Sequence, residues 1–121
     1  MGTVLVLCRN SNIRKFYVDN LTVRGYAAIG MMSMSESEAD LLTKYVSKQG
    51  TPDLVLMWGE LARLQPDIEK IRQLYVSSLP IIIVSPEKPD RAWMVKWNIA
   101  AHRSGLSDSR KLMNFLHPWL V

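Results

Sequence analysis

Apolar residues gather in short uninterrupted runs, and segments with a helical period fill the spaces between them. The first run, Thr3-Val4-Leu5-Val6-Leu7, is uncharged and rich in β-branched residues, the pattern of a strand covered on both faces. Ser11 or Asn12 is suited to cap a helix in which Ile13, Tyr17 and Leu21 recur every fourth residue, and Gly25 ends it. Tyr26 to Met31 predicts a second strand. Ser35 and Glu38 then form a Ser-x-x-Glu capping box ahead of Leu41, Leu42, Tyr45 and Val46, which predicts a second helix.

The run from Pro52 to Trp58 predicts a third buried strand, and Pro66 is expected to open a helix carrying Ile68, Ile71, Leu74 and Tyr75. Ile81-Ile82-Ile83-Val84, introduced by Pro80, is the most apolar run and predicts a central strand. A fourth helix is expected from about Asp90 to Ile99. Ala101 to Ser104 is named an edge strand because alternation demands one, and a last helix from about Asp108 carries Leu112, Phe115, Leu116 and Trp119.

Strands and helices that alternate at intervals of roughly 25 residues imply right-handed crossovers and a parallel sheet with helices on both faces. The fold class is α/β, with five strands flanked by five helices. A chain of 121 residues with 48% hydrophobic and 21% charged positions is sized for one domain, expected over residues 1–121, and excludes wholesale disorder. Fifteen Lys and Arg against eleven Asp and Glu give a net charge of +4, but the basic residues form no single run, so nucleic acid is not expected for this domain alone. Cys8 is the only cysteine, which rules out an intramolecular disulfide and a cysteine-based zinc site and suits a reducing cytoplasm. No apolar stretch approaches the ~20 residues that span a bilayer, and the start lacks a signal-peptide pattern, so a cytoplasmic protein without a membrane partner is expected.

Ligands of open parallel sheets sit beyond the carboxyl ends of the strands. Those ends are Cys8-Arg9-Asn10, Trp58-Gly59-Glu60, Ser85-Pro86 and Gly105-Leu106. At these residues, and in the placing of Val4-Leu5-Val6-Leu7, Asn12-Ile13-Arg14, Arg24-Gly25-Tyr26, Pro52 to Leu56 and Pro80 to Ser85, the chain resembles the response-regulator receiver domains of two-component signalling. The resemblance runs from about Thr3 to Leu120. It implies a flavodoxin-like, CheY-like sheet of order 2-1-3-4-5. It also implies an acidic pair after the first strand that holds Mg²⁺, an aspartate at the end of the third that takes a phosphoryl group, a Ser or Thr after the fourth, and a Lys after the fifth.

Only Ser85 matches. Cys8 and Arg9 stand at the acidic pair, Trp58 at the phosphoacceptor, and Gly105 at the lysine. Mg²⁺ requires hard oxygen ligands, which a thiol, a guanidinium and an indole do not supply, and an indole N–H is a donor that cannot attack phosphorus. Asp53 cannot substitute, because five strand residues place it ~16 Å away at the far end of the third strand. Glu60 is a lone carboxylate. The chain is therefore identified as resembling an atypical pseudo-receiver, with no catalytic residue, no metal and no cofactor expected, acting through protein–protein contact.

Two readings of the altered pocket stay open here: Arg9 stacks on Trp58 in place of the metal charge, or Arg9 points to solvent and Trp58 joins the core. Cys8 reads as an inert buried thiol. His102 falls where the resemblance puts a switching aromatic and is not expected to activate Ser85. Trp93 and Trp97 lie one turn apart, on a stripe separate from the one expected to face the sheet. With Trp119 they mark a candidate face of fourth helix, fifth strand and last helix for a protein partner or a homodimer. The alternative function is a small anion- or nucleotide-binding protein using an Arg9/Ser85 cleft, although no glycine-rich phosphate loop is present.

Overall fold

The structure, a computed structural model, describes residues 2–35, 51–75, 79–105 and 108–120. Strand β1 (Thr3–Cys8) leads to helix α1 (Ser11–Val23) and β2 (Ala27–Met31), followed by β3 (Leu54–Trp58), α2 (Leu61–Leu74), β4 (Ile81–Val84), α3 (Arg91–Lys96), β5 (Ile99–Arg103) and α4 (Ser109–Leu120). The strands form one parallel sheet of order β2-β1-β3-β4-β5, as expected. Four helices are present among the described residues. The helix expected to carry Leu41, Leu42, Tyr45 and Val46 lies outside them.

The period-2 alternation of each strand sorts its side chains between two layers. Leu5, Leu7, Val55, Met57, Ile81 and Ile83 face α2 and α3, where Leu64, Ile68 and Ile71 meet them. On the other side, Val4, Val6, Leu54, Leu56, Ile82 and Val84 meet Tyr17 and Leu21 of α1 and Leu112 and Leu116 of α4. The three central strands are covered on both faces, which accounts for their uninterrupted apolar sequence.

Local chemistry sets the boundaries. Asn10, rather than Ser11 or Asn12, caps α1: its Oδ1 accepts from the amides of Asn12 and Ile13 at 3.0 and 3.1 Å. Gly25, at φ 89°, takes the left-handed position after α1 and donates to Thr22. Pro66 does not open its helix. α2 begins five residues earlier, at Leu61, and holds Pro66 on its exposed side, where the missing amide costs one bond to a solvent-facing carbonyl.

The largest boundary correction concerns the fourth expected helix. It ends at Lys96 because Asn98 adopts φ 52°, and Ile99, expected to close that helix, instead starts β5. The register against β4 slips between Ile81 and Ile82, so Ala100 bulges from the edge. This edge strand is also guarded: Arg103 Nη1 donates to the carbonyl of its neighbour His102 at 2.9 Å.

Tyr17 links the core to an expected alkaline response. Burial first, and the nearby Cys8 thiol second, push the Tyr17 hydroxyl from 10.0 up to about 12. The unfolded chain ionises first as pH rises, so the stabilising term is intact below pH 10 and is lost between pH 10 and about 12. Denaturant midpoints measured across that window should fall, and a Tyr17→Phe variant should lose this part of the slope.

Candidate functional site

At the carboxyl end of the sheet, β1 and β3 finish side by side, with Cys8 paired opposite Trp58. Cys8 is buried, its Sγ donates to the Asn10 carbonyl at 3.3 Å, and burial raises its thiol above the usual range. A buried protonated thiol is a poor nucleophile, in keeping with the inert reading. Arg14 Nη1 covers the Cys8 carbonyl at 2.8 Å.

Arg9 corrects the stacking expectation. Its guanidinium lies 3.9 Å from the carboxylate of Asp67, and the cations held over rings among the described residues are Lys96 over Trp97 and Arg103 over Phe115. Arg9 thus neither stacks on Trp58 nor points freely to solvent, and it is about half exposed. Trp58 is half-buried against the layer that contains α1 and α4. Gly59 turns the chain away at φ 145°, a conformation L side chains avoid, and its amide donates to Val84. Glu60 is exposed, makes no side-chain cap bond to α2, and stands 4.0 Å from Arg63.

Between Arg9, Trp58, Glu60, Arg63, Leu64 and Pro86 lies a cleft of about 220 Å³. That is below the range of ~300–1,000 Å³ usual for small-molecule sites. Ser85 does not line it. Its side chain is fully buried, its Oγ accepts from the Glu87 amide at 3.2 Å, and the anion cleft expected from Arg9 and Ser85 together does not form.

His102 faces the Ser85 carbonyl, with Nε2 at 3.0 Å. A carbonyl only accepts, so Nε2 carries the proton and is not a base toward the Ser85 hydroxyl. Gly105 follows β5, exposed, with open space where a Cβ would stand. Asp53 sits at the opposite end of the sheet, where its Oδ2 accepts from the Thr3 amide at 2.8 Å. No group of three His, Cys, Asp or Glu side chains suited to a metal gathers among the described residues. At the carboxyl end a thiol, a guanidinium and an indole stand where the resemblance implies ligands, and the carboxylates beside them, Asp67 and Glu60, face Arg9 and Arg63, so the set does not fit the Mg²⁺ that the resemblance implies.

The tryptophans also depart from expectation. Trp93 and Trp97 turn inward with Met94 and pack on the α2 side of the core, while Ala92, Val95 and Lys96 face solvent. Burying two indoles removes more apolar surface from water than burying Ala92 and Val95, and that decides which stripe of the helix turns in. Trp93 Nε1 donates to Gln65 at 3.4 Å, and Trp97 Nε1 has no partner among the described residues. Trp119 packs in the other layer, edge-on to Phe115 at 5.6 Å. The three rings therefore do not form one patch.

Two residues not singled out from the sequence do much of the positioning. Asp67, buried on α2, accepts from the Met34 amide at 2.8 Å and so fixes the loop after β2 beside Arg9. Arg72 forks to three carbonyls, through Nε to Trp97 at 3.0 Å, Nη1 to Leu79 at 2.8 Å and Nη2 to Asn98 at 2.8 Å. A signal existed for both. Asp67 lies three residues from Leu64 and Arg72 four from Ile68, so both fall on the apolar stripe.

No helix among the described residues is long and apolar enough to cross a membrane. No family model matches the chain, and no curated protein matches it in sequence. Solved structures do. The chemotaxis response regulator CheY4 of Vibrio cholerae superposes with a TM-score of 0.77 at 15% identity, covering 99% of each chain. The response regulator TrrA of Thermotoga maritima, solved in complex with Mg²⁺ and BeF, gives 0.69 at 21% identity over 99% of this chain and 100% of that one. The pseudo-receiver domain of the CikA protein gives 0.67 at 17% identity over 100% and 98%. The structural neighbours of this chain are thus response-regulator receiver domains, a pseudo-receiver among them, and it shares their CheY-like fold.

Proposed function

We propose that the chain is a pseudo-receiver: a non-enzymatic signalling module that works without aspartyl phosphorylation, by contact with a protein partner. The observation that carries this reading is the pairing of Cys8 with Trp58 at the carboxyl ends of β1 and β3. Where the resemblance puts metal ligands and a phosphoacceptor, a buried thiol and an indole stand, and neither offers an oxygen. The exposed carboxylate that lines the cleft among the described residues, Glu60, faces Arg63.

A switch needs a ligand that prefers one of two states. With a fixed cation at Arg9 already set against the buried carboxylate of Asp67, the charge beside the end of β1 is met without a metal ion. On this reading the contact surface is the face of α3, β5 and α4, where the resemblance implies that partners dock. Incubation with acetyl phosphate and Mg²⁺ is the direct test: the intact mass should stay unchanged. A phosphoryl adduct on Glu60 or any other carboxylate would overturn the reading.

A further inference from the structure

The charge at the corner where β4 and β5 end is not balanced. Lys88, Arg91, Arg103, Arg110 and Lys111 are all exposed: Lys88 and Arg91 in the turn after β4 and at the start of α3, Arg103 at the last residue of β5, and Arg110 and Lys111 in the first turn of α4. Against them stand Glu87, Asp90 and Asp108: five cations to three carboxylates, a balance of +2 and half of the chain's +4. Two of the three carboxylates are already engaged, Asp90 with the Trp93 amide and Asp108 with those of Arg110 and Lys111. Among the described residues the ion pairs are Arg9–Asp67, Lys15–Asp19 and Arg63–Glu60, so none of the five cations has one.

Arg110 and Lys111 are placed against the helix's own interest. They occupy the first turn of α4, which contains no acidic residue, and the positive end of a helix dipole disfavours cations there. Arg103 is held over the Phe115 ring at 4.4 Å and bonded to the His102 carbonyl, so its charge is fixed at the edge. Unpaired, exposed cations kept at a cost to the fold are the signature of a surface shaped for something outside it.

We propose that this corner docks an acidic polypeptide surface and excludes a second copy of the chain. The proposal rests on the protein-contact reading above and names the partner's chemistry. In a two-fold dimer a patch meets itself, and here that would set a net excess of two cations against the same excess. A phosphate backbone fits less well than a polypeptide, because Glu87, Asp90 and Asp108 interrupt the cations and would repel a continuous run of phosphates. A folded chain with its own mixed charges meets both signs.

The test uses a fluorescein-labelled glutamate-rich peptide as probe, with the full chain in three forms: the parent, Arg110→Glu/Lys111→Glu, and a control of equal charge change on α1 and the residue that caps its end, Lys15→Glu/Arg24→Glu. The parent should be monomeric by light scattering at 50 and 500 mM salt, chosen to span roughly one Debye length of 13 to 4 Å. The Arg110→Glu/Lys111→Glu chain should bind the probe at least ~10-fold more weakly than the α1 control, and its Tm should match or exceed that of the parent. Equal losses in the two variants would overturn the assignment to this corner. So would a parent dimer that the Arg110→Glu/Lys111→Glu change dissolves, or tighter binding of a DNA duplex of matched charge than of the peptide. A phosphoryl adduct in the acetyl phosphate experiment sinks the function proposed above and leaves these three readouts standing.

Discussion

Trp97→Glu should cost about 3–5 kcal/mol, because it removes a ring packed on the core and sets a carboxylate against the same apolar layer. For a domain whose total stability is ~5–15 kcal/mol, that is a large share, read as a fall of at least ~10 °C in Tm. Trp97→Phe is the informative companion. The smaller ring loses some contact, yet it also removes an indole N–H that is buried with no partner among the described residues. The two effects oppose each other, and the net change should stay below ~1 kcal/mol. A Trp97→Glu chain that melts with the parent would mean the ring faces water, as the spacing of Trp93 and Trp97 first suggests.

Arg72→Ala should rank second, at about 2–4 kcal/mol. Three carbonyls lose a charged donor at once: Trp97 and Asn98 where α3 ends, and Leu79 ahead of β4. Burial lowers the Arg72 pKa from its usual value, but the guanidinium stays charged throughout the stable range. Arg72→Lys should recover less than half of the loss, since one ammonium cannot span the fork that Nε, Nη1 and Nη2 provide. Urea midpoints of the parent and both variants give the comparison, and full rescue by lysine would reduce the role of Arg72 to charge alone.

Both variants act where the sequence was hardest to read. The central strands were legible because burial on two faces leaves an apolar run that no helix of that length would need, as in Ile81 to Val84. β5 was found only through the alternation of elements. Its true start at Ile99 was hidden, because Ile99 also completes a plausible helical stripe and the break depends on Asn98 taking a left-handed conformation. A helix of six residues has less than two turns over which to declare a face, so Trp93 and Trp97 could be assigned to either side on period alone. Bulk settled the matter.

The altered chemistry at the ends of β1 and β3 was legible residue by residue, since side-chain type alone excludes oxygen ligation at Cys8, Arg9 and Trp58. The destination of the Arg9 charge was not. Asp67 lies 58 positions further along the chain, and its place on an apolar stripe signals burial but not that the arginine following β1 will stand beside it. Polar residues on an apolar stripe, of which Asp67 and Arg72 are two, are the places where a helix is tied to segments that sequence distance conceals.

The Asp67 carboxylate has a mechanical consequence. It grips the Met34 amide on one side and stands against the Arg9 guanidinium on the other, so three stretches of chain meet at one side chain. A pull on Met34, on α2 or on Arg9 is therefore passed to the other two through this one side chain, and a partner that seizes any of the three stretches takes hold of the others.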